Sequence, residues 1–464
     1  MKFGGSSLAN PSRVRNVAGL VAKFAKGNKV TVVVSAVGEV TDRLVEIGGY
    51  AQKGDIRRVK KLTGTIGRLH LKVAKSLSVK VAARRELLAV LEGLLQDLER
   101  TADGITQLRE LTPRSRDYLL SMGERLSASL VAAAIRGVGL RARSFTGAEA
   151  GITTDDRFGE ARPLVEVSFH QVRQRIGPVL ARGEVPVVTG FVAGTVEGTV
   201  TTLGRGGSDY TATFLGAALD ADEVWIWTDV DGLMTADPRI VKGAMVLPRI
   251  SFGEALELSY FGAKMMHPRA LQPAAQRKVP VRIRNTFKPN GDGTLVSSDE
   301  TNNGGKVVKA VSMIPDVGIV TVSGSGMMGA PGVAAKVFQT LGSNEINVMM
   351  ISQGSSEATI SIVVARSDVD RAVRTLQLAL LGQGYVDRVS EEKDACIIAV
   401  VGSGMKGTPG VAARIFGAVA KKRVNVRMVA QGSSEYNVSF VVSKSEGPEA
   451  VRAIHEEFRL RTEN

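Results

Sequence analysis

Cysteine is all but missing from this chain: Cys396 is the single one in 464 residues, so no disulfide can close within it. It lies in the apolar run DACIIAVVG with no histidine beside it and reads as a small core hydrophobe rather than a nucleophile. Histidine is nearly as sparse. Its four copies, at 70, 170, 267 and 455, are too scattered for a zinc-type cluster, and no residue is assigned to a metal. No apolar run reaches the length needed to span a membrane and no secretory signal is recognisable, so the expected compartment is the cytoplasm and no membrane partner is expected. Acidic residues are outnumbered, giving a formal net charge of +14, yet nucleic acid is not an expected partner. The densest basic stretch, residues 53 to 85, has no phenylalanine, tyrosine or tryptophan on which a base could stack, and apolar residues interleave it at helical spacing. It reads as a solvated helix face, and the overall positive field suits a small polyanion.

What the chain does have is glycine in patterned places. TTLGRGGSDYTATFLG, residues 201 to 216, sets Arg205 and Asp209 among Gly204, Gly206 and Gly207, where an extended segment turns into a helix. Glycines let backbone amides approach an anion, and the first helical turn adds unpaired N–H groups and positive dipole, which together build a phosphate site. The opening MKFGGSSLANPSRV repeats the idea: Lys2 and Phe3 end a strand, Gly4 and Gly5 turn, and Asn10-Pro11 enters a helix. Further β-branched strands (KVTVVV, EVPVVTGF, EVWIWTDV, VPVRIRNTF) alternate with helical stretches, including residues 50 to 135, which predicts an α/β domain over residues 1–296 with a mainly parallel central sheet in three αβα layers. The polar, aperiodic residues 297–305 read as a linker.

Beyond the linker the chain repeats itself. GSGMMGAPGVAAKVF begins at Gly324 and GSGMKGTPGVAARIF at Gly402, and QGSSE recurs at the same separation, from Gln353 and from Gln431. Each copy reads βαββα, a ferredoxin-like unit lacking its last strand. The first copy can take that strand from GYVDRVS, residues 384 to 390, but the second runs out of chain. Residues 306–313 are therefore expected to supply it, so that the first module (314–390) is inserted within the second (306–313 and 391–464). Both glycine turns match G-x-G-x-x-G, but no acidic residue ends the next strand to take a ribose hydroxyl and the module is too short, so a dinucleotide site is rejected.

KFGGSS, VVVSAVGEVTDRL, LTPRSRDYLLSMGERLS, TTLGRGGSDYTA, TDVDGLMTADPR, FGAKMMHPRA and the paired GSGM and QGSSE modules, in this order, resemble the aspartate kinases of the amino-acid kinase superfamily, with tandem ACT domains, over essentially the whole chain. The resemblance implies transfer of the γ-phosphoryl group of ATP, with magnesium, to the β-carboxylate of L-aspartate, the first step toward lysine, threonine and methionine. It implies Lys2, Asp209 and Lys264 as catalytic, with Asp209 orienting the lysine. Ser35, Thr41, Glu124, Arg205 and Ser208 would bind aspartate, Arg205 taking the α-carboxylate and Glu124 the ammonium. Lys2, Gly4, Gly5, Ser6, Thr228, Asp229, Met234, Arg239, Lys264 and Met265 would bind the nucleotide. Met234 departs from the tyrosine many members carry, which bears on base recognition.

The resemblance further implies that the ACT pair binds an amino-acid effector, with Gly329, Asn347 and Gln353 as the candidate contacts; lysine-sensitive members often place an acidic residue near the position of Met349, and because Met349 and Arg427 offer none, the resemblance favours threonine over lysine. A homo-oligomer, a dimer or dimer of dimers through the ACT domains, is expected. Lys2 leaves only Met1 ahead of the first motif, where the family's strand usually runs further upstream; either this edge is short or the recorded start is internal. Other readings are a superfamily kinase acting on glutamate, acetylglutamate or UMP, a bifunctional fusion to a homoserine dehydrogenase, and a catalytically inactive ACT amino-acid sensor.

Overall fold

The structure, a computed structural model, describes residues 1–260, 266–298, 306–382, 384–432 and 435–461. It divides into two compact units that do not follow chain order. The first takes Met1–Leu233, Pro248–Phe252 and the described part of Met265–Ser298; the second takes Met234–Leu247 and the described parts of Gly253–Lys264 and Asp299–Asn464.

The first unit contains β1 (Lys2–Phe3), α1 (Gly5–Leu8), α2 (Pro11–Phe24), β2 (Val32–Val34), α3 (Val40–Gln52), α4 (Ile56–Ser76), α5 (Val81–Leu108), α6 (Pro113–Gly137), β3 (Ala142–Phe145), α7 (Gly147–Ala150), β4 (Thr153–Thr154), α8 (Val165–Ala181), β5 (Val185–Thr189), β6 (Val192–Thr195), β7 (Val200–Thr202), α9 (Gly207–Ala218), β8 (Val224–Thr228) and β9 (Arg249–Ser251). After α10 (Phe252–Tyr260) come α11 (Pro268–Arg277), β10 (Val281–Asn285) and β11 (Thr294–Ser297). The central sheet has the order β3-β5-β2-β1-β8-β10-β11-β9 and is parallel except between β10 and β11. β2 and β5 are buried at every position, which requires helices on both faces. α2 to α6 pack together as one helical group and α8, α9 and α11 as another. Asn10 opens α2 as the sequence predicts, its side chain accepting the Arg13 N–H at 3.0 Å.

Phe3 stands level with Val34 and Trp227, Val34 with Thr189, and Thr228 with Asn285. The carboxyl ends of β1, β2, β5, β8 and β10 therefore open on one rim. The strand order departs from β1 in both directions, toward β2 on one side and β8 on the other, and such a switch point leaves a crevice outside the strand ends.

In the second unit, β12 (Ala310–Ser323), α12 (Val333–Ser343), β13 (Met350–Gln353), β14 (Thr359–Ala365), α13 (Val369–Leu380), β15 (Arg388–Val401), α14 (Val411–Lys421), β16 (Met428–Gln431), β17 (Asn437–Val442) and α15 (Gly447–Glu457) form a sheet of order β13-β14-β12-β15-β17-β16. Val317–Ser323 of β12 pairs with β14, and Ile319–Ser323 pairs, beyond the register shifts, with β15 residues 388–392, whereas Ala310–Ile314 pairs with Ile397–Val401, which in turn pairs with β17. The first module is thus inserted in the second, as the repeat predicts. The first of the two register shifts, between Ile314 and Val317, spans Pro315, which has no N–H for the ladder. The strands begin later than the sequence suggests, at Ala310 rather than 306 and Arg388 rather than 384. Each module has its own core under its helices, and Cys396 is fully buried in the second, with its thiol pushed up to about 12, chiefly by burial. Among the described residues no helix is long and apolar enough to cross a membrane.

Candidate active site

A cavity of about 290 Å³ in the first unit is lined by Lys2, Ser35, Thr41, Glu124, Phe191, Gly204, Gly206, Gly207, Ser208 and Asp209. Its parts come from the rim of the sheet. Lys2 stands on β1, and a Cβ added at Gly4 would lie 3.5 Å from Lys2 Nζ, so the ammonium folds over that glycine. Asp209, in the first turn of α9, pairs with Lys2 at 2.6 Å, and both side chains are only about a tenth exposed. Ser35 follows β2, its N–H donating to the Phe3 carbonyl at 3.1 Å, and Thr41 opens α3.

α6 contributes twice from one face. Glu124 is buried, accepts the Ala36 N–H through Oε1 at 3.2 Å, and leaves Oε2 buried without a partner. Burial pushes its carboxyl up to about 8, although the Ala36 N–H opposes this. Seven residues earlier, two helical turns away, buried Asp117 accepts the Gly159 N–H at 2.9 Å and both the Thr202 N–H and hydroxyl at 2.8 Å, fixing the strand that leads into the glycine turn. Desolvation nonetheless leaves the Asp117 carboxyl above its ordinary range.

The turn itself needs glycine. Gly206 has φ +72°, and a Cβ there would meet His267 Cβ at 2.6 Å. Burial, with Arg205 and Arg269 nearby, holds His267 below the usual imidazole range. Arg205 lies between two cavity-lining glycines with its side chain exposed. Three contributors were not singled out from sequence: Phe191, Asp117 and His267. Phe191 lines the cavity at φ +64°, held by the Thr211 hydroxyl, which accepts its N–H at 3.1 Å. A bulky residue in that conformation has no propensity signature and marks a site when seen. Only the seven-residue spacing from Glu124 could have pointed to Asp117.

The structure thus brings Lys2, Ser35, Thr41, Glu124, Ser208 and Asp209 together. Gly5 and Ser6 start α1 beside Gly4, and Thr228 and Asp229 follow from the same rim, at the end of β8. Met234 and Arg239 belong to the second unit, where Met234 bridges Val246 and Arg239 is exposed and paired with Asp237 at 2.6 Å. Lys264 and Met265 lie outside the described residues. Of the effector candidates, Gly329 sits at φ +64° and donates its N–H to Glu357 at 3.1 Å, while Asn347 and Gln353 are exposed. Among the described residues no group of three or more His, Cys, Asp or Glu is placed to hold a metal ion.

Comparison with known proteins agrees in both halves. The model of the amino acid kinase family matches residues 1–285, and that of the ACT domain matches residues 320–380 and 398–458. The chloroplastic aspartokinase 1 of Arabidopsis thaliana is 34% identical over 474 residues, covering 99% of this chain and 79% of its own. The crystal structures of aspartokinase III of Escherichia coli, one in complex with aspartate and ADP and one with lysine and aspartate, each superpose with a TM-score of 0.81 at 29% identity over 98% of both chains. The chain belongs to the aspartokinases, amino acid kinases that carry ACT domains.

Proposed function

We propose that the cavity binds aspartate beside the phosphates of ATP and that this chain transfers the γ-phosphoryl group to the aspartate β-carboxylate, giving 4-phospho-L-aspartate. One observation carries the reading. A buried carboxylate oxygen without a partner, on Glu124, lines the same small cavity as the Lys2–Asp209 pair, so one pocket offers a place for an ammonium and a cation for phosphoryl oxygens.

The β-carboxylate is already a nucleophile at neutral pH and needs no base. The demands on the protein are alignment and neutralisation of charge on the phosphoryl oxygens. Lys2 supplies a cation at Gly4, and Asp209 holds its ammonium there. The aspartate ammonium gives Glu124 Oε2 a charged partner and draws the Glu124 carboxyl back toward ionisation. Arg205, with a guanidinium suited to a bidentate carboxylate contact, would take the α-carboxylate with Ser35, Thr41 and Ser208. Gly4, Gly5, Ser6, Thr228 and Asp229 would face the nucleotide, together with Met234, Arg239, Lys264 and Met265. A divalent cation, magnesium in this reading, would come with ATP and keep most of its water, so it asks for few side-chain ligands, and Asp209 is the cavity carboxylate near the phosphate position.

The ACT modules would bind an amino-acid effector at Gly329, Asn347 and Gln353. Met349 carries no charge and Arg427 is paired with Glu392 at 3.1 Å, so neither offers a lysine side chain an anion, which supports threonine; inhibition by lysine alone would overturn that choice. Association through the ACT modules into a dimer or dimer of dimers is open to light scattering. The reaction is tested by trapping the acyl phosphate with hydroxylamine in the presence of ATP and magnesium. A hydroxamate from aspartate is expected; one from glutamate or acetylglutamate instead, or none, would refute the assignment.

A further inference from the structure

The glycine turn at 204–207 is soft by composition and firm in the structure. Gly204 and Gly206 adopt φ of +73° and +72°, and the Gly207 N–H closes the turn on the Gly204 carbonyl at 3.0 Å. Glycine loses more freedom on ordering than any other residue, so the geometry has to be imposed from the flanks. Two charged side chains that stand outside the cavity lining impose it.

Asp117, on α6, and Arg269, in the first turn of α11, carry opposite charges and make the same pair of connections. Each ties the loop 159–161 to the end of the strand that enters the turn. Asp117 accepts the Gly159 N–H at 2.9 Å, together with the Thr202 N–H and hydroxyl, both at 2.8 Å. Arg269 donates to the Ala161 carbonyl at 3.1 Å and to the Leu203 carbonyl at 3.3 Å. Its guanidinium also lies 5.1 Å from the centre of the Tyr210 ring on α9, so it touches the chain on both sides of the turn. Loop and strand end are bonded directly as well, the Ala161 N–H donating to the Thr202 carbonyl at 2.9 Å. Gly204 leaves no room behind it: a Cβ there would meet the Gly159 carbonyl oxygen and Glu160 Cγ, each at 3.2 Å. The loop is thus a backstop for the turn, and the two charges hold it in place.

Resting on the kinase reading above, we propose that Asp117 and Arg269 are positioning residues for aspartate: they clamp loop 159–161 against residues 202–203 and so hold Arg205 and Ser208 where the substrate α-carboxylate meets them. Neither touches substrate. A site that is in its binding geometry only a fraction of the time binds proportionally more weakly, so loosening the clamp lowers aspartate affinity without removing a contact to it. Gly4, Gly5 and Ser6 follow β1 instead, which makes nucleotide binding the internal control.

The test uses the full chain, with two readouts: the rise in melting temperature on adding aspartate or MgADP, and steady-state kinetics. D117N and R269M are expected to raise the KM for aspartate about tenfold and to halve the aspartate-induced shift, with the KM for MgATP and the MgADP shift close to those of the parent. T202V, which removes only the hydroxyl that donates to Asp117, should raise the KM for aspartate about threefold, and T202S, which keeps it, should not. Unchanged aspartate shifts in D117N and R269M would overturn the proposal. So would equal losses of aspartate and MgADP binding, the mark of general damage to the unit, or a T202V variant no different from T202S. If D117N does not fold, R269M and T202V decide by the same criteria. A parent protein that binds aspartate but yields no aspartyl hydroxamate would sink the reaction assignment while leaving the clamp measurable through aspartate binding.

Discussion

The glycine turn at 204–207 and the paired turns at 324–329 and 402–407 are built from the same residue type and do opposite things. In the first unit the glycines border a cavity whose polar groups include a buried carboxylate oxygen with no partner. In the modules the turn amides already have anions from the protein itself: Asp387 and Glu357 in one, Glu254 and Glu435 in the other. Glu357 and Glu435 adopt φ of +58° and +55° to reach their glycine amides, an unfavourable conformation that the second copy reproduces. A glycine pattern therefore marks where backbone amides are exposed to an anion, and the surrounding charges decide whether that anion is a ligand or a neighbour.

The comparison can be broken most severely at the cavity's cation. Lys2→Ala should lower the rate of aspartyl hydroxamate formation about a thousandfold, the scale seen when one stabilising group is removed from a charge-developing site, with a melting temperature within a few degrees of the parent. Next in size, Gly206→Ala forces a Cβ toward His267 at a positive φ and should cost about 2 kcal/mol in urea unfolding as well as activity; a fully stable, fully active variant would show that the turn does not require glycine.

Glu124 gives a signature in pH. Burial raises its carboxyl to about 8, so below that pH it holds a proton that the incoming ammonium must displace. Aspartate affinity should then rise roughly tenfold per unit from pH 6 toward 8 and level off above, with proton release detectable by calorimetry in buffers of different ionisation enthalpy. Glu124→Gln should weaken aspartate binding about a hundredfold at pH 8 and flatten that slope; an unaltered slope would remove Glu124 from the ammonium site. Smallest of all, Glu357→Ala and Glu435→Ala should each change stability by less than about 1 kcal/mol, because both hydrogen bonds are open to solvent. A large loss at either would mean that the module turns depend on their internal anions far more than exposure suggests.

Much of this was legible in the residues. Lys2, Gly4 and Asp209 could be picked out because glycine, lysine and a helix start carry local chemistry. The inserted arrangement of the modules followed from counting strands in a repeat that ends too soon. What sequence did not reveal depends on partners far along the chain. The Phe191 conformation is imposed by its surroundings, the hold of Asp117 on Thr202 spans 85 residues, and Glu254 reads as an ordinary residue of an amphipathic helix until Ser403 is found against it. Segment 234–247 looks like part of the α/β domain by its motif, yet it packs in the second module's core, because apolar periodicity states that a residue is buried and not in which core.

β12 and β15 each run through both modules, so the hydrogen-bond ladder that ends one copy begins the other. Neither copy can be excised or transplanted at a loop: cutting between them severs a strand and leaves a raw edge on both products. A graft that aims to exchange effector sensitivity between relatives would have to carry the tandem as one indivisible cassette, and gene duplication here has yielded a single mechanical part with two faces rather than two spare copies.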